Sequence, residues 1–300
     1  MTPRPPVVWV FTLMCLIWGS TFMVLKMGLS GTPPLLGVSL RHLAASLILL
    51  AIIRYRGLPI PWSRQAVKLY ATVGVLNFGL SYALTYSGTI YIYSNISALL
   101  WASFPITTAL TAHFFLPAER LSWLKATGIL IGFGGVALIF AGYGFGQSPN
   151  LWLGMSLVML AVLAGTWPNI YLKMASEKPH PLALNAVATG IGGSLTLVLS
   201  LLFERDQSMA WTPANLGLLL YLALFGTVIA WVAFFYLLEH MEVVKLSFVG
   251  FIAPLIAMFM GMLVLDEYLP PVVYLGAGLV LLGIFTSDAR RYLTVLKVRP

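Results

Sequence analysis

The chain has 300 residues, of which 60% are hydrophobic and 9% are charged, and its mean hydropathy is +0.93. A soluble protein of this length needs far more charge to cover its surface, so the composition excludes a soluble globular fold and indicates a chain that lies mostly in lipid. The net charge of +8 does not indicate nucleic-acid binding, because the basic residues lie at the edges of apolar segments and at the chain ends.

Apolar segments of about 20 residues recur along the chain, without the alternation that marks a membrane β-strand. Open strand edges are excluded from hydrocarbon, so we predict an all-α membrane protein. The ten predicted helices are Val7–Leu29, Pro34–Tyr55, Gln65–Gly88, Tyr91–Phe115, Ser122–Ala141, Leu151–Ala175, Pro181–Phe203, Pro213–Glu239, Val243–Val264 and Pro270–Ser287.

The first apolar segment follows Arg4 and could be a secretory signal peptide. No small-x-small cleavage site follows it, and the segment has a counterpart in the second half of the chain. We therefore expect it to be retained as the first transmembrane helix.

The two halves of the chain repeat each other at an offset of about 147 residues. The matching pieces are Leu25-Lys26-Met27 with Leu172-Lys173-Met174, Pro34-Leu35 with Pro181-Leu182, and Phe78-Gly79 with Phe225-Gly226. Residues 1–146 and 147–300 each contain five predicted helices, an odd number, so the second copy must enter the bilayer from the opposite side. We expect two inverted five-helix repeats around a central cavity, an architecture typical of transporters.

The basic residues are distributed unequally between the two predicted membrane faces. With ten helices both termini lie on one face, which collects every lysine and arginine except Lys26, Arg41 and Arg205. Because positive charge accumulates on the cytoplasmic side of membrane proteins, we predict that both termini are cytoplasmic.

A Glu-x8-Gly-x6-Gly pattern occurs near the end of each half. Glycines at this spacing let helix backbones approach closely in lipid, so we expect the fifth and tenth helices to support the bundle or to meet each other. Glu119 and Glu267, which begin the two patterns, are predicted to cap the helices that follow them.

Three prolines fall inside predicted helices. Pro105 and Pro254 occupy corresponding positions in the fourth and ninth helices, and Pro168 lies in the sixth. Each removes one ladder hydrogen bond and frees a carbonyl, so these positions could be hinges or cavity walls, or simple kinks.

Lys26 and Lys173 lie near helix ends on opposite membrane faces. They could extend to the lipid headgroups, or they could act as gates at the two mouths of a cavity. Arg41 and His42, near the outer end of the second helix, are expected at the membrane interface.

The candidate substrate contacts are neutral or aromatic, because no Asp or Glu falls near the middle of a predicted helix. Buried polar groups need partners, so polar side chains in the helices should point inward. Asn77 and Ser81 lie four residues apart on one helix face, and Trp101 lies in mid-helix. The candidate contacts are Asn77, Ser81, Tyr82, Asn95, Trp101, Thr166, Trp167, Asn169 and Ser247.

Helix one contains Trp18-Gly19-Ser20-Thr21-Phe22, followed by Lys26. Together with the repeated Glu-x8-Gly-x6-Gly, this resembles the EamA-type members of the drug/metabolite transporter superfamily, and within them the YddG-type exporters of aromatic and other amino acids. The opening signature is reduced in the second half to Gly165-Thr166-Trp167-Pro168. The resemblance implies export of small metabolites across the bacterial inner membrane, through a cavity lined by helices one, three, four, six, eight and nine.

We therefore expect a monomeric carrier of apolar or aromatic amino acids that works by alternating access as a facilitator. The single cysteine and four histidines have no metal-site spacing, so no metal or cofactor is expected. The alternatives are a transporter of drugs, nucleotide-sugars or lipid-linked headgroups, an intramembrane enzyme, and a receptor. An enzyme would need a catalytic grouping in the bilayer, and a receptor leaves the repeat unexplained.

Overall fold

The structure is a computed structural model, and it describes residues 7–116, 123–142, 149–176, 178–240 and 249–297. All regular secondary structure within these ranges is helical, without a strand. The helices are α1 (Val7–Leu29), α2 (Pro34–Arg56), α3 (Arg64–Thr89), α4 (Ser94–Phe115), α5 (Trp123–Ala141), α6 (Pro149–Met174), α7 (Pro181–Phe203), α8 (residues 213–240), α9 (Val249–Leu265) and α10 (Pro271–Lys297).

Seven of these helices, α1 to α4 and α6 to α8, are long and apolar enough to cross a membrane. Shorter apolar stretches lie in α5, α9 and α10. Large apolar side chains also point away from the protein, for example Leu130, Phe259 and Leu275, which are 72%, 61% and 66% exposed. Such a surface is stable in lipid and unstable in water, so the structure agrees with the all-helical membrane fold expected from composition.

The observed helix bounds agree with the predicted ones to within a few residues, with two differences. The fourth helix begins at Ser94 because residues 90–93 form a turn, and the tenth continues to Lys297 rather than ending at Ser287. The added residues include Ala289, Arg290 and Arg291, which favour helix. The predicted start of the ninth helix at Val243 lies outside the described residues.

Two helices contain a π-helical segment. In α3 this segment is Val73–Ser81, and in α8 it is Leu224–Ile229. Each includes the Phe-Gly pair that the two halves share. A π-helical turn shifts the hydrogen-bond ladder from i+4 to i+5, re-aims the neighbouring side chains and occurs frequently at functional sites.

The three prolines occupy different helical environments. The fourth helix is interrupted by a turn at Ala102 and Ser103 and resumes at Phe104, so Pro105 lies in a first turn, where a missing N–H is tolerated. Pro168 and Pro254 lie inside continuous helices and are buried. Of the corresponding prolines, Pro105 therefore follows an interruption of its helix, whereas Pro254 lies in an uninterrupted one. Whether any of the three prolines acts as a hinge stays a prediction.

The glycines of α5 and α10 meet, as their spacing predicted. An added Cβ atom would lie 2.5 Å from Gly276 O if built on Gly135, and 2.5 Å from Gly128 O if built on Gly283. No side chain fits at such separations, so glycine is required for the two backbones to touch.

The remaining contacts tie the two halves of the chain together. The second helix packs on α7, where Ser46 Oγ donates a 2.7 Å hydrogen bond to Ala186 O. The first helix packs on α9 through Gly19, and α6 packs on α3 and α4. The third and fourth helices thereby face α6 across a narrow contact in which polar side chains are concentrated.

Candidate functional site

Three of the predicted substrate contacts converge on Gly165 of α6. A Cβ atom on Gly165 would lie 3.2 Å from Ser81 Oγ and 3.4 Å from both Asn77 Oδ1 and Trp101 Cη2. Because glycine has no side chain, the amide, the hydroxyl and the indole all reach the same small region between α3, α4 and α6. We call the region formed by Asn77, Ser81, Trp101 and Gly165 the α3–α6 site.

The indole of Trp101 is held at one edge. Trp101 Nε1 donates a 3.1 Å hydrogen bond to Thr85 Oγ1, which in turn donates 2.8 Å to Ser81 O. The ring is half-buried, lies 5.9 Å from the Phe104 ring, and precedes the turn that interrupts α4. Its orientation is therefore set by a threonine one helical turn from Ser81 and by its packing on Phe104.

The sixth helix contributes polar groups that are already paired. Thr166 Oγ1 lies 2.9 Å from Thr107 Oγ1 and donates to Val162 O at 2.8 Å, so this hydroxyl ties α6 to α4. Asn169 Nδ2 donates to Gly165 O at 3.0 Å. The Trp167 ring packs edge-on against Phe115 at 4.7 Å. Thr166 and Asn169 therefore border the α3–α6 site, and Trp167 contacts the end of α4.

Asn95 lies outside this convergence, at the start of α4 beside Glu267. Glu267 Oε1 accepts from Ser94 N at 2.7 Å, and Oε2 accepts from Ser94 Oγ at 2.7 Å and from Asn95 N at 3.2 Å. In the described part of the chain, the buried Asn95 Oδ1 has no hydrogen-bond partner. The prediction that Glu267 caps the helix that follows it was wrong, because this carboxylate caps α4 instead, and Glu119, for which the same was predicted, lies outside the described residues.

A second buried glutamate acts in the same way on α2. Glu204 Oε1 accepts from Leu35 N at 2.8 Å, and Oε2 accepts from Leu36 N at 3.0 Å and from Ser200 Oγ at 2.7 Å. Leu35 and Leu36 are 169 and 168 positions away in sequence, so no local pattern could reveal these two contacts. Both carboxylates neutralise the positive end of a helix dipole.

Lys26 contacts backbone carbonyls rather than lipid headgroups. Its ammonium donates to Thr89 O at 2.7 Å, Ile90 O at 3.1 Å and Ile92 O at 2.7 Å. Lys26 thereby caps the end of α3 and the turn that follows. Lys173 is exposed at the end of α6. Whether Lys26 and Lys173 act as gates stays a prediction. Ser247 lies outside the described residues, and so does the side chain of Pro105.

Arg41 and His42 are buried, so the prediction that they lie at the interface was wrong. Arg41 is 3% exposed: Nε donates to Thr227 Oγ1 at 2.9 Å, Nη1 to Tyr86 Oη at 3.2 Å and Nη2 to Gly226 O at 3.2 Å. The backbone of Arg41 lies about two turns from the start of α2, and its long side chain reaches between α3 and the π-helical segment of α8. A basic residue within an apolar helix was the available signal.

Aromatic rings surround this guanidinium. Arg41 Cζ lies 4.9 Å from the Tyr82 ring centroid, which is a cation–π distance. The Tyr82 ring also lies 4.5 Å from the His42 ring and 6.0 Å from Phe78, and Trp231 continues the contacts towards Trp18. Tyr82 follows Ser81 in sequence, so α3 presents one face to the α3–α6 site and the adjacent face to Arg41.

A small cavity of about 20 Å³ lies beside Tyr86. It is bordered by Leu25, Thr32 and Leu222 among others, and its volume suits about one water molecule. Among the described residues, no group of three His, Cys, Asp or Glu side chains could hold a metal ion. The chemistry available around α3 is therefore hydrogen bonding, aromatic packing and one buried positive charge.

Similar proteins in other organisms are named as transporters. The uncharacterized transporter YoaV of Bacillus subtilis is 29% identical over 91% of this chain and 93% of its own length. The uncharacterized inner membrane transporter YedA of Escherichia coli is 26% identical over 93% of this chain and 89% of its own. The S-adenosylmethionine/S-adenosylhomocysteine transporter of Chlamydia muridarum is 27% identical over 93% of this chain and 91% of its own length.

A structural superposition and a match to a family model agree with these sequence similarities. One crystal structure superposes with a TM-score of 0.69 at 17% identity, over 97% of this chain and 99% of the other, which supports the fold alone. The sequence model of the EamA-like transporter family matches twice, at residues 5–141 and 152–287. This chain therefore belongs to the EamA-like transporter family and is a multi-pass membrane transporter.

Proposed function

We propose that this transporter exports amino acids, preferably aromatic and other apolar ones, across the bacterial inner membrane. The observation that carries the proposal is the convergence of Asn77, Ser81 and Trp101 on Gly165. An amide and a hydroxyl can bind the charged ends of a zwitterion, and an indole face can pack on its side chain. The α3–α6 site contains no ionised side chain among its members, which suits the apolar side chain and the uncharged parts of the solute.

The proposed mechanism is alternating access between two inverted five-helix repeats, residues 1–146 and 147–300. Helix packing supports this symmetry. Exchanging each helix for its counterpart five places along converts the α1–α9 contact into the α6–α4 contact, and leaves the α2–α7 and α5–α10 pairs unchanged. The two π-helical segments fall on corresponding helices, as such a repeat requires.

Rocking of the repeats would open the α3–α6 site to either face. The turn at Ala102 and Ser103 adjoins Trp101, so a change in the angle of α4 would move the indole directly. Pro168 and Pro254 are the proposed hinges within continuous helices, and Lys26 would hold α1 to the end of α3 during the movement. A monomer contains both repeats and is sufficient for this cycle.

The proposed energy source is the solute gradient itself. A proton- or sodium-coupled carrier commonly uses a carboxylate in the bilayer, but Glu204 and Glu267 are both bound to helix N-termini. The distribution of Lys and Arg supports cytoplasmic termini, and a solute that is more concentrated in the cytoplasm would move outward down its gradient.

A second candidate substrate comes from the relative in Chlamydia muridarum, which is named for S-adenosylmethionine and S-adenosylhomocysteine. Both compounds combine an amino-acid group with a flat adenine ring, which an indole could also contact. Drugs and nucleotide-sugars remain further alternatives within the same superfamily.

The test is solute movement by the purified protein in proteoliposomes. We expect uptake of labelled Phe, Trp and Met into vesicles preloaded with the same solute, with no dependence on an imposed pH gradient. Trp101→Ala should reduce uptake of Phe more than uptake of Thr, because the indole contributes chiefly an apolar face. Trp123→Ala, an 88% exposed tryptophan at the start of α5, is the matched control and should behave as wild type.

The possible outcomes separate the substrate classes. Movement of S-adenosylhomocysteine but of no free amino acid would transfer the proposal to the second candidate. No movement of either class, with or without a pH gradient, would contradict amino-acid transport. Unchanged transport by Trp101→Ala would assign this residue to packing.

A further inference from the structure

The buried guanidinium of Arg41 has donors that the described residues do not use. A guanidinium carries five N–H groups, and the described residues accept three hydrogen bonds from it, through Thr227, Tyr86 and Gly226. None of these acceptors is charged, and no carboxylate is among its partners in the described residues. A buried charge without a counter-ion is expensive, so its presence within an apolar helix indicates a function.

An independent observation next to Arg41 also indicates a ligand. His42 is fully buried, and its ring nitrogens make no hydrogen bond of good geometry among the residues that the structure describes, although the Phe78 backbone is a weaker partner. Its ring lies 4.5 Å from the Tyr82 ring, and the Arg41 guanidinium lies 4.9 Å from the same ring. Two buried polar side chains whose hydrogen-bonding groups are not fully used by the described residues therefore contact one tyrosine.

The contacts of Arg41 divide between the two halves of the chain. Tyr86 belongs to the same half as Arg41, whereas Gly226 and Thr227 belong to the other half and lie in the π-helical segment of α8. A movement of one half against the other would break the contacts with Gly226 and Thr227 and keep the contact with Tyr86. The N–H groups of Nε and Nη2 would then be free to bind a solute in the region where Gly226 of α8 now lies against both the guanidinium and Thr21 of α1.

We propose that Arg41 binds the carboxylate of the transported solute once the two halves have moved apart. The proposal rests on the proposed transport of amino acids and adds the group that selects them. A guanidinium binds a carboxylate through two parallel hydrogen bonds, which suits the fork of Nε and Nη2 that Thr227 and Gly226 occupy in this structure. The Tyr82 ring lies beside the guanidinium and would border the bound carboxylate.

This assignment has consequences for selectivity. A buried positive charge repels cationic drugs, and a single guanidinium balances the one negative charge of a carboxylate but leaves a charge of a nucleotide-sugar diphosphate unbalanced. The solute should therefore be a monocarboxylate. Removal of its carboxylate charge should abolish binding even when its aromatic ring is retained.

The test uses four compounds that share one aromatic ring: L-phenylalanine, its methyl ester, phenethylamine and 3-phenylpropionate. Binding is measured as thermal stabilisation of the purified full-length protein in detergent. We expect the two compounds with a free carboxylate to stabilise the wild type, and the ester and the amine to have no effect. Arg41→Gln should require about 10- to 100-fold more of each carboxylate for the same stabilisation, and Arg41→Lys should retain part of the affinity.

Three control variants separate a carboxylate site from a structural tie. Arg54→Gln removes an exposed charge from the same helix and should bind as wild type. Tyr86→Phe and Thr227→Val each remove one partner of Arg41 and leave its charge in place, so both should keep the preference for carboxylates. If either loses carboxylate binding as completely as Arg41→Gln, Arg41 acts as a structural tie and the proposal is overturned.

The failure of this proposal can be told from the failure of amino-acid transport. Uptake of L-phenylalanine with equal recognition of its ester would overturn the role of Arg41 and leave the transport function intact. Binding of 3-phenylpropionate that depends on Arg41, without uptake of any amino acid, would support the role of Arg41 and overturn amino-acid transport. A wild-type protein that no carboxylate stabilises would overturn the role of Arg41, whereas only the uptake experiment decides on transport.

Discussion

At the scale of single residues, the absence of a side chain at Gly165 defines the α3–α6 site. Ser81, Asn77 and Trp101 all lie within 3.4 Å of the position where a Cβ atom would stand. A glycine in mid-helix costs about 1 kcal/mol relative to alanine, so this close approach of three side chains is obtained against helix propensity. The three nearest atoms belong to side chains rather than to backbone, which distinguishes Gly165 from the packing glycines of α5 and α10.

The corresponding prediction concerns Gly165→Leu. Its side chain would occupy the region that we assign to the solute, and we expect uptake of Phe to fall about 10-fold or more, as a penalty of about 1.4 kcal/mol implies. Initial rates in proteoliposomes are the measurement. Gly278→Leu on α10, where an added Cβ atom meets nothing within 4 Å, is the matched control. Equal rates for Gly165→Leu and wild type would show that the region is not on the transport path.

At the scale of secondary-structure elements, the N-termini of two helices depend on carboxylates supplied from elsewhere in the chain. The start of α4 at Ser94 is bound by Glu267, which follows α9, and the start of α2 is bound by Glu204, which follows α7. Asp266 precedes Glu267 with a positive φ of 52°, a conformation that aspartate tolerates. This turn directs the carboxylate back onto α4 rather than onward to α10.

Glu267→Ala should therefore destabilise the bundle. It leaves two buried backbone amides without acceptors, and each such group costs about 1–3 kcal/mol. We expect a lower melting temperature in detergent, with Glu267→Gln between alanine and wild type because an amide oxygen can replace one acceptor. Asp206→Ala, in an exposed position after α7, should leave the melting temperature unchanged. A Glu267→Ala protein as stable as wild type would contradict the capping role.

The helices themselves could be predicted, because long apolar segments leave few alternatives in lipid. The shared face of Asn77 and Ser81 could be predicted from their spacing. Neither the convergence on Gly165 nor the bond between Ser94 and Glu267, 173 positions apart, leaves a local trace. Arg41 was misplaced because position along a helix fixes the depth of its Cα atom only, whereas its neighbours on α3 and α8 determine where the guanidinium lies.

At the scale of the whole molecule, the helix pairs form a pattern that fits an exchange of the two halves. The pair α2–α7 is particularly informative, because each helix begins with the same Pro-Leu and the two pack directly on each other. An inverted repeat requires the starts of these two helices to lie on opposite faces of the membrane. A parallel repeat would place both starts on one face, so membrane sidedness decides between them.

Single cysteines can measure that sidedness, since the native Cys15 is buried and can be replaced by serine. Ser30 and Lys178 are exposed just before α2 and α7, and Arg205 is exposed just after α7. In intact cells an impermeant maleimide should label Ser30→Cys and Arg205→Cys, because their face is external, and should label Lys178→Cys only after the membrane is opened. The 23 residues of α7 span about 34 Å as a helix, which is enough to place Lys178 and Arg205 on opposite sides of a bilayer. Labelling of Ser30→Cys and Lys178→Cys from the same side would exclude the inverted repeat, and with it the rocking movement on which export depends.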